Sequence, residues 1–236
     1  MDENTLNQIQ RADPLVKSVL QNISEAIVIG RLQPGHKLVE TQLAEQLGVS
    51  RGPIREAIRR LEQMGLVEKI PYRGAFVSQL TDYDIEELYS VRESLEGLAA
   101  RLLAQRQDER VVASLNAIIN SMSQAAEAGD ESKIVTLDAD FHDSLISLCD
   151  HKLLNEIWEP VSIRMRRFLL LKNKYRYEND LRMVVRLHTP IIEAIAAGNV
   201  AEAEMAARKH IIGAIQYLNE QMSVELEAFA FNGRLG

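Results

Sequence analysis

The chain has 236 residues, 46% of them hydrophobic, and a formal net charge of −7. That is enough apolar content to bury two cores, one small and one of about 140 residues. The single Cys149 excludes an internal disulfide and fits a reducing cytosol, and no apolar run reads as a signal peptide or a membrane span, so a cytoplasmic protein with no membrane partner is expected.

In chain order, residues 1–12 are polar and read as a flexible N-terminus. A helix is predicted from near Pro14 to about Ile29. Residues 40–47, ETQLAEQL, carry Leu43, Ala44 and Leu47 at helical spacing, and Gly48 can supply the positive φ of a short turn. With Ser50 as N-cap and Pro53 in the first turn, a second helix can run from Arg51 to about Met64. Ile54, Ala57, Ile58 and Leu61 form its apolar stripe, while Arg51, Arg55 and Arg59 form a second stripe facing away from the core.

The next segment, LVEKIPYRGAFV (66–77), has two apolar-rich runs around a turn of Pro71, Tyr72, Arg73 and Gly74, which reads as a β-hairpin wing. Together these elements describe a winged helix-turn-helix. Its second helix would enter the major groove with Arg51 and Arg55 forked onto guanine or phosphate. The charge partition agrees: residues 1–79 carry 10 Lys and Arg against 9 Asp and Glu, whereas residues 80–236 carry 17 against 25. Only the N-terminal part tolerates a polyanion, so DNA affinity should rest on a small basic footprint and on dimerisation.

Residues 38–77, LVETQLAEQLGVSRGPIREAIRRLEQMGLVEKIPYRGAFV, resemble the DNA-binding domain of GntR transcription regulators, specifically the FadR subgroup. The resemblance implies DNA contacts from Arg51, Gly52, Pro53 and Arg55 and from Tyr72, Arg73 and Gly74 at the wing tip. Gly52 stands where Thr is also common, which removes one side-chain contact.

SQLTDYD (78–84) reads as the joint between domains 13–78 and 79–222. Beyond it, helical stripes recur at about 82–106, 108–128, 131–150, 152–173, 178–197 and 199–222, with Gly129, Gly198 and Asn199 as turns. Pro160 should kink the fourth of these helices or reset its start. The fold class is therefore mainly α: an N-terminal winged helix-turn-helix, then an antiparallel bundle of about six helices. Residues 223–236 are left as a C-terminal tail.

Within the bundle, Asp138 and His142 fall in phase with Ile134, Leu145 and Cys149. His188 lies in the stripe of Val184, Ile191 and Ile195, and His210 in that of Ala203, Ala207 and Ala214. His188 and His210 each lie 11 residues from the Gly198–Asn199 turn, roughly 16 Å down an antiparallel hairpin at ~1.5 Å per residue, and can face one another. If the Asp138/His142 face packs across from them, the four form a cage suited to Zn²⁺ or another borderline divalent ion. D-x-x-F-H at 138–142, HTPIIEAIAAGNVAEAE after His188 and ARKHI at His210 resemble the FadR C-terminal (FCD) domain. The resemblance implies that the Asp and three His are metal ligands, with Zn²⁺ first and Ni²⁺ or another transition metal as alternatives.

Arg92, in phase with Leu88, Leu95 and Ala99, reads either as an internal ion pair with Glu96 or as the anchor of a small carboxylic acid whose other end meets the metal. The combined reading is a repressor, a homodimer on a pseudo-palindromic double-stranded operator, with an acid in the bundle setting operator affinity. Two rivals are a metal-dependent enzyme fused to a DNA-binding domain and a purely structural metal site. No Glu, Ser or Lys stands at a spacing that suggests a base or nucleophile near the cage.

Overall fold

The computed structural model describes residues 14–171 and 181–232, with the side chains of the last helix through Tyr217. The chain divides into two compact units between Gln79 and Leu80.

In the first unit, α1 (Pro14–Val28) turns Val16, Val19, Ile23 and Ile27 into the core and packs on α3 (Arg51–Gln63). The stripe of α3 behaves as its spacing requires: Ile54, Ala57, Ile58 and Leu61 are all buried. Helix α2 (Glu40–Leu47) ends on Gly48 at φ 65°, the left-handed conformation that costs glycine little. Ser50 holds the extended N-cap position before α3, but its side chain makes no capping hydrogen bond, so the expected cap is met in backbone only.

The wing is β2 (Val67–Ile70) and β3 (Gly74–Val77), antiparallel with Val67 opposite Val77 and Ile70 opposite Gly74. A third strand, β1 (Lys37–Leu38), was not expected from the sequence. It pairs antiparallel with β3, giving the order β1-β3-β2.

The second unit is all helix among the described residues: α4 (Asp82–Arg106), α5 (Glu109–Ala128), α6 (Glu131–Ser147), α7 (Lys152–Leu171), α8 (Arg182–Ala196) and α9 (Val200–Asn232). Its helices begin where side chains can take over orphan backbone donors. Thr81 and Asp84 form a reciprocal capping box at α4, Asp108 accepts from the Arg110 amide at α5, and Asp130 accepts from the Lys133 amide at α6. Gly129 and Gly198 close α5 and the α8–α9 turn at φ 69° and 65°.

Of the two outcomes expected at Pro160, a kink or a reset start, the reset does not occur, since α7 runs through it. Helix α9 continues to Asn232, so the backbone of residues 223–232, left unassigned as a tail, is helical. The expected start of a helix at 178 and the N-terminal residues 1–12 lie outside the described residues.

Candidate metal centre and DNA-binding face

Three elements each bring one imidazole to the middle of the second unit. On α6, the stripe that buries Ile134 and Leu145 also buries His142, and Asp138 sits one turn earlier. On α8, Val184, Ile191 and Ile195 carry His188 inward, and on α9 the small side chains of Ala203 and Ala207 leave room for His210. The hairpin closed at Gly198 levels the last two, whose ring centroids are 4.2 Å apart. One nitrogen of each of the three histidines can be chosen so that all lie within 4.8 Å of one another.

The tautomers follow from the outer partners. His188 Nδ1 is 2.7 Å from the Val184 carbonyl oxygen, which can only accept, so Nδ1 carries the proton. His142 Nδ1 is 2.5 Å from Glu96 Oε2. Burial pushes the Glu96 carboxyl up, but the charges of His142 and Arg92 and their hydrogen bonds outweigh it and hold it below the usual range. Glu96 is then an acceptor and Nδ1–H the donor. When both rings are neutral, as metal ligation requires, each Nε2 keeps a lone pair, and these two nitrogens lie 3.5 Å apart.

His210 Nε2 lies 3.4 Å from His142 Nε2. Asp138 Oδ1 lies 3.3 Å from His188 Nε2 and 3.9 Å from His142 Nε2. Imidazole nitrogens that can act as donors to a metal, gathered beside a carboxylate in a buried interior, form a set of the kind that can hold a cation. A tetrahedral metal with bonds near 2.1 Å separates its nitrogen ligands by about 3.4 Å, so the donor set and two of its spacings fit a divalent ion.

Of the two readings of Arg92, the ion pair with Glu96 is present, with Nε 2.9 Å from Glu96 Oε1 and both side chains fully buried. Its guanidinium stacks on the Tyr89 ring at 4.8 Å. Nη1 and Nη2 make no hydrogen bond to the protein, and neither does the Tyr89 hydroxyl. The sequence reading missed that Glu96 joins Arg92 to His142, 46 positions away. It also missed Arg167 on α7, a second buried guanidinium whose pKa burial pushes down. His151 caps α7, accepting from the Leu154 amide at 3.2 Å.

In the first unit, Arg51 and Arg55 project from the exposed face of α3 and share the carboxylate of Glu40 at the start of α2. Arg59 and Arg60 are both held by Glu56, whose carboxyl the Arg59 and Arg60 hydrogen bonds lower to about 2. Gly52 is exposed with open space where a Cβ would stand, and Pro53 is half-buried in the first turn. At the wing tip Tyr72 is fully exposed at φ 63°, Gly74 adopts φ 106°, and the Arg73 guanidinium lies 5.7 Å from the Phe76 ring centroid.

Residues 15–77 match the model of bacterial regulatory proteins of the gntR family, and residues 87–213 match the FCD domain. The chain belongs to the GntR family. It is 30% identical over 223 residues to the uncharacterized HTH-type transcriptional regulator YdhC of Bacillus subtilis, covering 93% of this chain and 96% of that one. It is 31% identical over 185 residues to a protein described as the probable D-xylose utilization operon transcriptional repressor of Paenarthrobacter nicotinovorans, covering 78% and 80%. Among solved structures, Escherichia coli McbR/YncC matches with a TM-score of 0.73 at 24% identity, over 89% of this chain and 100% of the other, a likeness of fold. This GntR regulator thus carries a winged helix-turn-helix, a six-helix FCD bundle and a His142/His188/His210 cluster able to coordinate a divalent metal. Its likenesses are to transcription regulators rather than to enzymes. Among the described residues no helix is long and apolar enough to cross a membrane.

Proposed function

We propose that this GntR regulator is a FadR-subgroup repressor whose operator affinity is set by a small carboxylic acid bound at a divalent metal, most readily Zn²⁺. Residues 13–78 form the DNA-binding domain and 79–222 the effector domain. Asp138, His142, His188 and His210 are the ligands. The carrying observation is the pair of imidazole Nε2 atoms 3.5 Å apart beside the Asp138 carboxylate. When bound, the ion supplies a Lewis-acidic centre for an oxygen of the acid.

Arg92 supplies the other anchor. Nη1 and Nη2 are two parallel donors in a buried setting, matched to the two oxygens of a carboxylate, and the Tyr89 hydroxyl adds a third polar group beside them. Its ion pair with Glu96 uses only Nε and leaves that fork open.

The protein acts as a homodimer on a pseudo-palindrome, each winged domain reading one half-site with Arg51, Gly52, Pro53 and Arg55 in the major groove and Tyr72, Arg73 and Gly74 at the wing. An acid favouring one disposition of the DNA-binding domains would shift operator affinity by its difference in affinity for the two states. The test is operator selection from a random DNA pool, then fluorescence anisotropy on the selected site with metal-loaded protein, a panel of hydroxy- and sugar acids, and light scattering of the complex. Release or tightening by an acid, lost in Arg92→Ala, is expected. A monomer on DNA, or equal affinity with every acid, contradicts the reading.

A further inference from the structure

The carboxylate of Glu96 is fully buried, and its two oxygens serve two residues far apart in sequence. Oε1 accepts from Arg92 Nε at 2.9 Å, and Oε2 accepts from His142 Nδ1 at 2.5 Å. A carboxylate present only to neutralise Arg92 would do best fork to fork, with two parallel bonds to the guanidinium. Here it takes one guanidinium nitrogen, leaves Nη1 and Nη2 without a hydrogen bond, and gives its other oxygen to an imidazole on a different helix. That imidazole presents its opposite nitrogen to His188 and His210 at 3.5 and 3.4 Å.

We infer that Glu96 is the positioning residue of the metal site, fixing His142 in the tautomer and ring orientation that aim Nε2 at the other two histidines, with Arg92 orienting Glu96 in turn. This rests on the reading of the three histidines as metal ligands. His188 has a weaker version of the same device in the Val184 carbonyl, a neutral acceptor on its own helix. Glu96 differs in being anionic: it makes the His142 ring a better electron donor to a cation at Nε2 and holds the ring from α4 while the ligand itself belongs to α6. Such outer partners of ligating histidines typically change metal affinity by about 10–100-fold when removed.

The experiment compares full-length wild type, Glu96→Gln, Glu96→Asp and His142→Ala. Zn²⁺ affinity is measured by competition with a chromophoric chelator, the visible absorption of the Co²⁺-loaded protein is recorded, and the Nδ1–H proton of His142 is followed by NMR in the Zn²⁺ form. Glu96→Gln should still bind one Zn²⁺ but about 10–100-fold more weakly, with a shifted Co²⁺ spectrum and an upfield move of that proton, and Glu96→Asp should fall between it and wild type. Zn²⁺ affinity within twofold of wild type and an unchanged Co²⁺ spectrum in a folded Glu96→Gln or Glu96→Asp protein would overturn the inference while leaving the metal site standing. Should Glu96→Gln not fold, Glu96→Asp decides by the same criteria. Wild type that binds no better than His142→Ala would remove the metal reading itself, and the inference with it.

Discussion

Arg55 reaches across the helix-turn-helix to Glu40, with Nη2 3.2 Å from Oε2 and Nε 3.3 Å from Oε1, and Arg51 joins the same carboxylate at 3.3 Å. These contacts hold in place the two guanidiniums proposed to meet DNA and also set a negative charge among them. The Arg55 hydrogen bond, foremost, keeps the Glu40 carboxyl below its ordinary range. Arg51→Ala and Arg55→Ala should each weaken operator binding and, where the lost contact is to phosphate, flatten the salt dependence by about one unit of slope. Arg59→Ala should do far less, because Arg59 lies about two turns from the N-terminal end of α3, the end whose side chains reach base edges in this kind of docking. Glu40→Gln should tighten binding to unrelated DNA, and unchanged non-specific affinity would show that the carboxylate does not compete with phosphate. Anisotropy titrations over a range of salt concentrations measure all four.

The α4 capping box gives a stability prediction with a defined pH sign. Thr81 Oγ1 accepts from the Asp84 amide at 3.2 Å, and Asp84 Oδ2 accepts from the Thr81 amide at 2.7 Å. Hydrogen bonds from the Thr81 side chain and backbone lower the Asp84 pKa, so its folded value lies below its unfolded one. The stabilisation is complete above the unfolded value and is lost as pH falls through the folded one. Thr81→Ala should cost about 1 kcal/mol near neutral pH, and the difference from wild type should shrink in acid. Urea titrations at neutral and acid pH would check it. A difference that grew in acid would contradict the capping account.

Gly198 sits at φ 65° in the turn that levels His188 with His210, and a Cβ there would also crowd the Gln107 side chain. That amide end can swing aside, but the left-handed backbone cannot be relaxed so easily. Gly198→Ala should destabilise the protein by about 1 kcal/mol. Because the turn aligns two of the three imidazoles, the same variant should bind metal more weakly than a control such as Gly52→Ala, where a Cβ meets nothing and φ is not positive.

Much of this molecule is legible from local periodicity. The stripe of α3, the glycine turn before it and the hairpin around Tyr72 and Arg73 are all short-range patterns, and the winged unit follows from them. The three histidines were visible because each breaks an apolar stripe on its own helix, and the Gly198 turn fixes the level of two of them. What escaped depends on contacts between distant segments. β1 is two residues long and exists only because β3 is there to pair with it. Glu96 reads as a partner for Arg92 four positions away, and nothing near it in the chain points to His142. In IRMRRF three arginines sit within four positions, and tertiary packing decides that Arg167 is buried while Arg166 turns to Asp140 and Asp143.

The claim on which the rest depends is that His142, His188 and His210 hold a divalent ion, and metal content answers it directly. Protein purified without an affinity tag, beside His210→Ala, is analysed by inductively coupled plasma mass spectrometry. The account predicts about one divalent ion per chain in the wild type and loss of that ion in the variant. No metal in either protein, or the same metal in both, would contradict it and leave the cation among these imidazoles to be a proton.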